Sequence, residues 1–278
     1  MGVPKTIDND LWGTDHCPGY GSAARYVATT CMEIYQDARV YDTGMLCVVE
    51  IMGRHAGWLT AASSLATAMG CGPDLIYLPE RVFDFDAFKA DVKRVYSASG
   101  KCIVAVSEGI HDKDGKLIAE YGSANAAVDA FGHKQLGGLA ATLAGVLLAE
   151  GYPKVRPIEF SLLQRCAAHC ASQTDVQEAF AAGKAAVECA VSGITDKMVG
   201  FERGQDENGN YTCSIKLMEL TDVANAEKKI PDAWINAEGN GLLPAFQAYA
   251  LPLIQGVPER PTENGMPRFA RLKKVQAR

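Results

Sequence analysis

The chain has 278 residues, of which 48% are apolar and 22% charged, and its formal net charge is -6. This length and mix describe a globular chain able to bury one large core or two modest ones. The acidic balance argues against a broad nucleic-acid-binding surface, which needs basic charge, but allows a local basic pocket for phosphates.

A polar cluster, Lys5 to Asp15, precedes any regular element. Functional loops normally hang from a scaffold, so the opening reads as a cut and the first domain is expected to be incomplete. Ala24, Val27, Cys31, Ile34 and Ala38 then recur at spacings of three and four, one face of a helix. Residues 45–52 form a short apolar, β-rich run, a buried strand. A helix of small residues is predicted over 58–69, a strand over 75–78, an amphipathic helix over 85–97 and a buried strand over 103–106. A long Ala- and Leu-rich helix follows over 133–150, then a strand over 155–160 and a helix over 175–191. Strands alternating with helices imply an α/β fold, mostly parallel, with helices on both faces of the sheet. The tail differs: a turn at 206–210, strand character over 211–220, and a short helix near 243–254.

Nine scattered cysteines with no CxxC pair read as free thiols in a reducing compartment. The start has no apolar signal core, and no segment approaches the ~20 uninterrupted apolar residues of a membrane helix. The expected location is the cytoplasm.

Four constellations could carry chemistry. Lys5-Thr6-Ile7-Asp8-Asn9-Asp10 sets two carboxylates beside a hydroxyl and an amine. A carboxylate there could take a proton from an alcohol attacking phosphorus, and the second could tune it. The plain alternative is a solvated turn. Met52-Gly53-Arg54-His55-Ala56-Gly57 follows a strand and precedes a helix. Its glycines would let a ligand approach the backbone, and the helix start would favour anions, unless this is only a strand-to-helix joint. Ser107-Glu108-Gly109 ends another apolar strand, where the carboxylate could accept hydrogen bonds from sugar hydroxyls or merely cap a loop. Arg156 and Gln164-Arg165 offer guanidinium forks for phosphate, against the commoner fate of surface charge. His16, His55, His111, His133 and His169 show no ligand-like spacing, and no metal site is predicted.

In order and spacing, PKTIDND (residues 4–10), VEIMGRHAGW (49–58), SEGI (107–110) and LLQR (162–165) resemble the phosphofructokinase family over nearly the whole chain. The resemblance implies a phosphofructokinase-like three-layer sandwich. Residues 1–163 would be mainly the fructose 6-phosphate (acceptor) domain. Residues 164–278 would return to the donor domain and add an extension. It implies Asp8 as the base toward the sugar's 1-hydroxyl, with Thr6 and Asp10 lining the same site. Met52, Gly53 and Arg54 would contact the sugar phosphate, and Arg54 would also offset transition-state charge. Glu108 would hold sugar hydroxyls. Arg156 and Arg165 would bind the 6-phosphate, with Arg156 reaching toward a neighbouring subunit.

Lys5 stands where ATP-using relatives carry Gly, so the resemblance points to the pyrophosphate-using branch; a fixed ammonium suits a small inorganic donor and fills space ATP would need. The runs VANAEKKIP (223–231) and YALPLIQG (249–256) look like one bacterial subgroup of that branch. Met45 and Leu162 replace an Arg and a His that hold the 6-phosphate in bacterial ATP enzymes. The family's glycine-rich donor loop and GGDDS metal-carboxylate motif are absent from the chain. The expected reaction is transfer of phosphate from pyrophosphate to fructose 6-phosphate, with Mg2+ as cofactor and a homodimer or other homo-oligomer as the assembly. An ATP-dependent kinase and an inactive sugar-phosphate-binding or assembly module are the rivals.

Overall fold

The computed structural model describes residues 1–40, 42, 44–122 and 138–276. At its centre is β1 (Met45–Ile51), whose seven residues are all buried. The run MLCVVEI is almost wholly apolar, as a strand covered on both faces must be. It pairs in parallel with β3 (Lys101–Ser107) on one side and β4 (Val155–Glu159) on the other; β2 (Leu75–Tyr77) adds outside β3. The order is β2-β3-β1-β4.

Successive strand residues point to opposite faces. Cys47, Val49, Ile51, Ile103 and Ala105 pack on one side against α1 (Tyr20–Arg39), α2 (Trp58–Ala62) and α3 (Ser64–Ala68). This core also takes in Phe246 and Tyr249 of α9 (Pro244–Ala250) and Leu253 just beyond it. Leu46, Val48, Val104 and Val106 pack on the other side against α4 (Phe85–Ser99) and α5 (Leu139–Ala149). The result is the expected three-layer sandwich.

Two predicted elements change in detail. The helix over 58–69 breaks in two at Ser63, whose hydroxyl donates to the Thr60 carbonyl at 2.6 Å while its amide bonds to the same carbonyl at 3.1 Å. That back-bonding tightens the turn and interrupts the α-helical ladder. Of the helix predicted over 133–150, residues 133–137 lie outside the described residues, and α5 occupies the rest. β4 is an exposed-faced edge strand, which is where Pro157 can sit without costing a ladder bond.

Beyond the sheet, α6 (Leu163–Cys166) leads to α7 (Gln173–Val191), capped by the Ser172 hydroxyl, which accepts from Asp175 N. An antiparallel hairpin of β5 (Lys197–Gln205) and β6 (Tyr211–Glu219) follows, ending in the short α8 (Leu220–Val223). Ala182 and Ala186 of α7 cover Val199 and Phe201 of β5 in a small separate core. The chain start docks here: Gly2 bridges Met198 in parallel, with Gly2 N donating to Lys197 O at 2.8 Å. A short hairpin, β7 (Thr262–Glu263) and β8 (Met266–Pro267), lies near the end.

One carboxylate interrupts the central strand. Glu50 is 7% exposed and accepts a hydrogen bond from Ala140 N at 2.9 Å, at the first turn of α5. Burial pushes its pKa up to about 7, helped by repulsion from Glu159 and Glu108. A folded-state value above the unfolded one means that this group's stabilising contribution is complete below the ordinary value near 4.5 and is lost as pH rises through 7. Glu50→Gln should therefore gain about 2–3 kcal/mol of stability relative to the parent between pH 5 and pH 8, read from urea melts. A parent-to-variant gap independent of pH would contradict the raised value.

Candidate active site

The loop over residues 5–15 is built on unusual backbone. Thr6 has φ 128° and Asn9 φ 59°, and for a β-branched residue such as Thr6 a positive φ is strained. Thr6 is held there by its own bonds. Its hydroxyl donates to Asp8 Oδ2 at 2.6 Å, and its carbonyl accepts from Asn9 N at 3.3 Å. Asn9 is fully buried, donates to the Tyr249 hydroxyl at 2.8 Å, and accepts from Cys17 N at 2.9 Å. This fixes the residue between the two carboxylates and leaves Asp8 and Asp10 partly open on either side of it. The Asp10 carboxyl is raised by burial and then by its neighbour Asp8. Lys5 is exposed.

Loops at the carboxyl ends of β1 and β3 lie within electrostatic reach of this segment. Gly53 has φ 135°, and an added Cβ would stand 2.5 Å from the Ala56 carbonyl oxygen, so no other residue fits. The Gly53 carbonyl accepts from Ser107 Oγ at 2.5 Å, and its amide donates to Glu108 Oε1 at 3.3 Å. At Gly109 a Cβ would overlap the Arg54 carbonyl. These two glycines let the Arg54 and Glu108 loops lie against each other. Gln164 of α6, 2% exposed, fastens that helix to the loop after β1, because its side-chain oxygen accepts from Met52 N at 3.3 Å.

Glu108 registers the outcome. Burial raises its pKa, and Asp8 adds to that; the Gly53 amide and the Arg54 and Arg165 guanidinium groups oppose it. Asp8, Arg54, Glu108 and Arg165 thus share one electrostatic neighbourhood, although they come from four separate segments. Arg156 is not brought into it within this chain. It lies on the exposed edge strand β4, in register with Cys47 and four residues short of the Ile51–Ser107 level. Met45 is 2% exposed and belongs to the core, while Leu162 is 58% exposed.

The helix start after MGRHAG does not present a free anion site. α2 has only five residues, and the Gly57 amide that opens it donates to Glu80 Oε1 at 2.9 Å. Glu80 also accepts from Ile230 N at 3.1 Å, and its carboxyl is raised by burial. A carboxylate from another loop has taken the place that an anionic ligand was expected to use.

Sequence reading missed the supports of this loop. Asp15 is gripped by Arg203 of β5, with contacts of 3.0–3.2 Å, and by His16 Nδ1 at 2.8 Å. Burial alone would raise the Asp15 carboxyl, but the His16 and Arg203 hydrogen bonds bring it down to about 2. His16 Nε2 lies 2.7 Å from Glu178 of α7, which also accepts from the Tyr211 hydroxyl at 2.7 Å. Burial opposes charge on His16, yet the two carboxylates outweigh it and raise its pKa. His16, Glu178 and Cys213 are also the one group of three potential metal ligands that converges among the described residues. Both imidazole nitrogens already face carboxylates, so His16 is the bridging cation there. The trio's nitrogen and sulfur donors do not suit Mg2+, which takes oxygen ligands. That trio is therefore not a Mg2+ site.

The fold defines an α/β protein with carboxylate- and guanidinium-bearing loops past the carboxyl ends of parallel strands, where such folds place ligands. The chain belongs to the phosphofructokinase family, which matches residues 1–150. It is 42% identical, over 98% of its length, to a Halomonas elongata protein named pyrophosphate--fructose 6-phosphate 1-phosphotransferase, and covers 64% of that protein. It is 44% identical to the protein of that name from Xanthomonas campestris, over 99% of this chain and 66% of the relative. The solved pyrophosphate-dependent phosphofructokinase of Nitrosospira multiformis superposes with a TM-score of 0.85 at 36% identity, covering 98% of this chain and 65% of that one. The chain thus spans about two thirds of the length of these relatives.

Breaking the Asp15 pair should destabilise the loop. Asp15→Asn is expected to cost about 3 kcal/mol at pH 7, because it leaves Arg203 and His16 under-compensated. A depressed carboxylate stabilises above its unfolded pKa near 3.8, and that contribution is lost as pH falls through 2. The gap between parent and variant in denaturant melts should therefore narrow from pH 4 downward.

Proposed function

We propose that this chain carries the acceptor half of a pyrophosphate-dependent phosphofructokinase, transferring phosphate from pyrophosphate to fructose 6-phosphate to give fructose 1,6-bisphosphate and phosphate. What supports the reading most is the contact of the Arg54 and Glu108 loops through Gly53 and Gly109, with Asp8 and Arg165 near enough to act on the Glu108 carboxyl. Residues 1–163 are assigned mainly to the acceptor half, and 164–278 to a returning part of the donor half plus an extension.

In this reading Asp8 accepts the proton of the sugar's 1-hydroxyl as its oxygen attacks phosphorus and inorganic phosphate departs. The Thr6 hydroxyl, 2.6 Å from Asp8 Oδ2, orients the base. Asp10 lines the same site, and its proximity to Asp8 disfavours two full charges together. Glu108 accepts from sugar hydroxyls and sets the Gly53 amide, while Met52 and Gly53 form the wall against the sugar. Arg54 offsets charge at the transferring group, and Arg165 holds the 6-phosphate, with Arg156 contributed to a neighbouring subunit of a homodimer. Lys5 stands exposed beside the carboxylates, where it excludes a nucleotide and favours the small inorganic donor. Mg2+ would accompany pyrophosphate and offset the negative charge of its oxygens.

A coupled assay with Mg2+, pyrophosphate and fructose 6-phosphate should register turnover, and Asp8→Asn should lower kcat about 1000-fold with fructose 6-phosphate binding kept. Turnover with ATP but not pyrophosphate would overturn the donor assignment. Because the chain spans about two thirds of its relatives, a binding-only module is the second reading; sugar-phosphate binding in calorimetry without turnover would favour it. Lys5→Gly should raise the ratio of ATP-supported to pyrophosphate-supported turnover, and an unchanged ratio would remove Lys5 as the discriminating residue.

A further inference from the structure

Lys228 lies 219 residues from Asn9, yet the loop over 9–15 closes round its side chain. Its ammonium donates to the Asp15 carbonyl at 2.6 Å, the Thr14 carbonyl at 3.3 Å and Asn9 Oδ1 at 3.4 Å. It stands 4.9 Å from the Trp58 ring centroid. Its backbone is equally committed: Lys228 N donates to Asp10 O at 2.7 Å, and Lys228 O accepts from Trp58 Nε1 at 2.7 Å. Next to it, Glu227 forms an antiparallel bridge with Leu11. No carboxylate oxygen is among these contacts. The ammonium is solvated by main-chain carbonyls, one amide oxygen and an aromatic face, so its charge goes into shaping the loop.

We infer that Lys228 is the positioning residue of this site: its ammonium is the internal template that holds residues 9–15 in the conformation presenting Asp8 and Asp10. The inference rests on the proposed phosphotransferase reading, which makes those carboxylates the reacting groups. Two of its links bear on Asn9 and Asp10 directly. Asn9 Oδ1 serves Lys228 and Cys17 N together, and Asp10 is pinned through its carbonyl. Losing the ammonium leaves the Thr14 carbonyl without its donor and the Asp15 carbonyl with the Tyr249 hydroxyl alone, and the least costly response is to turn the loop outward.

The site also titrates. Burial lowers Lys228 to about 8. Among its neighbours, Asp15 and Asp10 favour its charge, as does the Cys17 thiolate form, while Arg203 of β5 opposes it. Asp15 is held down to about 2 and Cys17 is pushed up to about 11, so near pH 8 neither changes charge. An arginine at 228 would stay charged throughout this range.

The test uses the full chain with Lys228→Met and Lys228→Arg. Lys228→Met should lower kcat about 100-fold with KM for fructose 6-phosphate changed less than about threefold, as expected when a reacting group is displaced by ~1 Å. The parent's kcat should fall on the alkaline side as Lys228 loses its proton, and Lys228→Arg should recover part of the loss and shift that fall to higher pH. Amide exchange gives a readout that needs no turnover. The Cys17 amide, bonded to Asn9 Oδ1, should exchange faster in Lys228→Met while amides of β1 and β3 keep parental protection. Unchanged kcat, or unchanged Cys17 exchange, would overturn the inference. If the parent protein shows no turnover with any donor, the proposed reaction fails and the exchange result alone decides the role of Lys228. If Lys228→Met also loses protection in β1 and β3, Lys228→Arg decides, and an alkaline limb identical to the parent's would refute the assignment.

Discussion

The register between β1 and β3 is the constraint on which the cleft depends. Ile51 stands opposite Ser107, so both strands finish at the same level and their following loops leave the sheet side by side. The consequences follow within two residues: Glu108 N donates to Ile51 O, the Ser107 hydroxyl reaches the Gly53 carbonyl, and Gly109 meets the Arg54 backbone. A slip of one residue would turn the strand's side chains to the opposite face and separate these partners. The buried, apolar β1 makes such a slip costly, because each face of the strand belongs to its own core.

The rest of the chain holds the third wall against that base. The loop over 5–15 has little regular structure, and its shape comes from distant segments. Tyr249 of α9 donates to the Asp15 carbonyl, Arg203 of β5 grips the Asp15 carboxylate, and Glu178 of α7 meets His16. Arg203 also lies over the Tyr211 and Tyr249 rings, each 4.7 Å from the centroid. The C-terminal segments therefore form a scaffold that holds the loop in place.

Much of this was legible in the sequence. The parallel core announced itself through β-rich apolar runs alternating with helical periodicity, and the motif residues fell at strand ends where such folds place ligands. β5 escaped because its glycines and charges, Gly200, Glu202, Arg203 and Gly204, leave only Val199 and Phe201 as a strong apolar signal. The break at Ser63 depends on a hydroxyl's choice of partner, which periodicity does not encode. His16, Lys228 and Glu80 were silent for a different reason. Each acts on a partner supplied from far along the chain or from another loop, and spacing in one sequence carries no trace of such pairings. Glu80 shows the cost most clearly, since a helix start that looked ready for an anion had already been filled by a side chain 23 residues away.

The backbone at Thr6 has a consequence for how this protein would respond to selection. A β-branched residue at φ 128° is held in tension by the very hydroxyl that orients Asp8. Glycine there would relax the main chain and remove the hydroxyl in a single step. A screen that rewards heat tolerance alone would be drawn to that exchange, and would enrich sturdier molecules in which Asp8 has lost the hydroxyl that holds it.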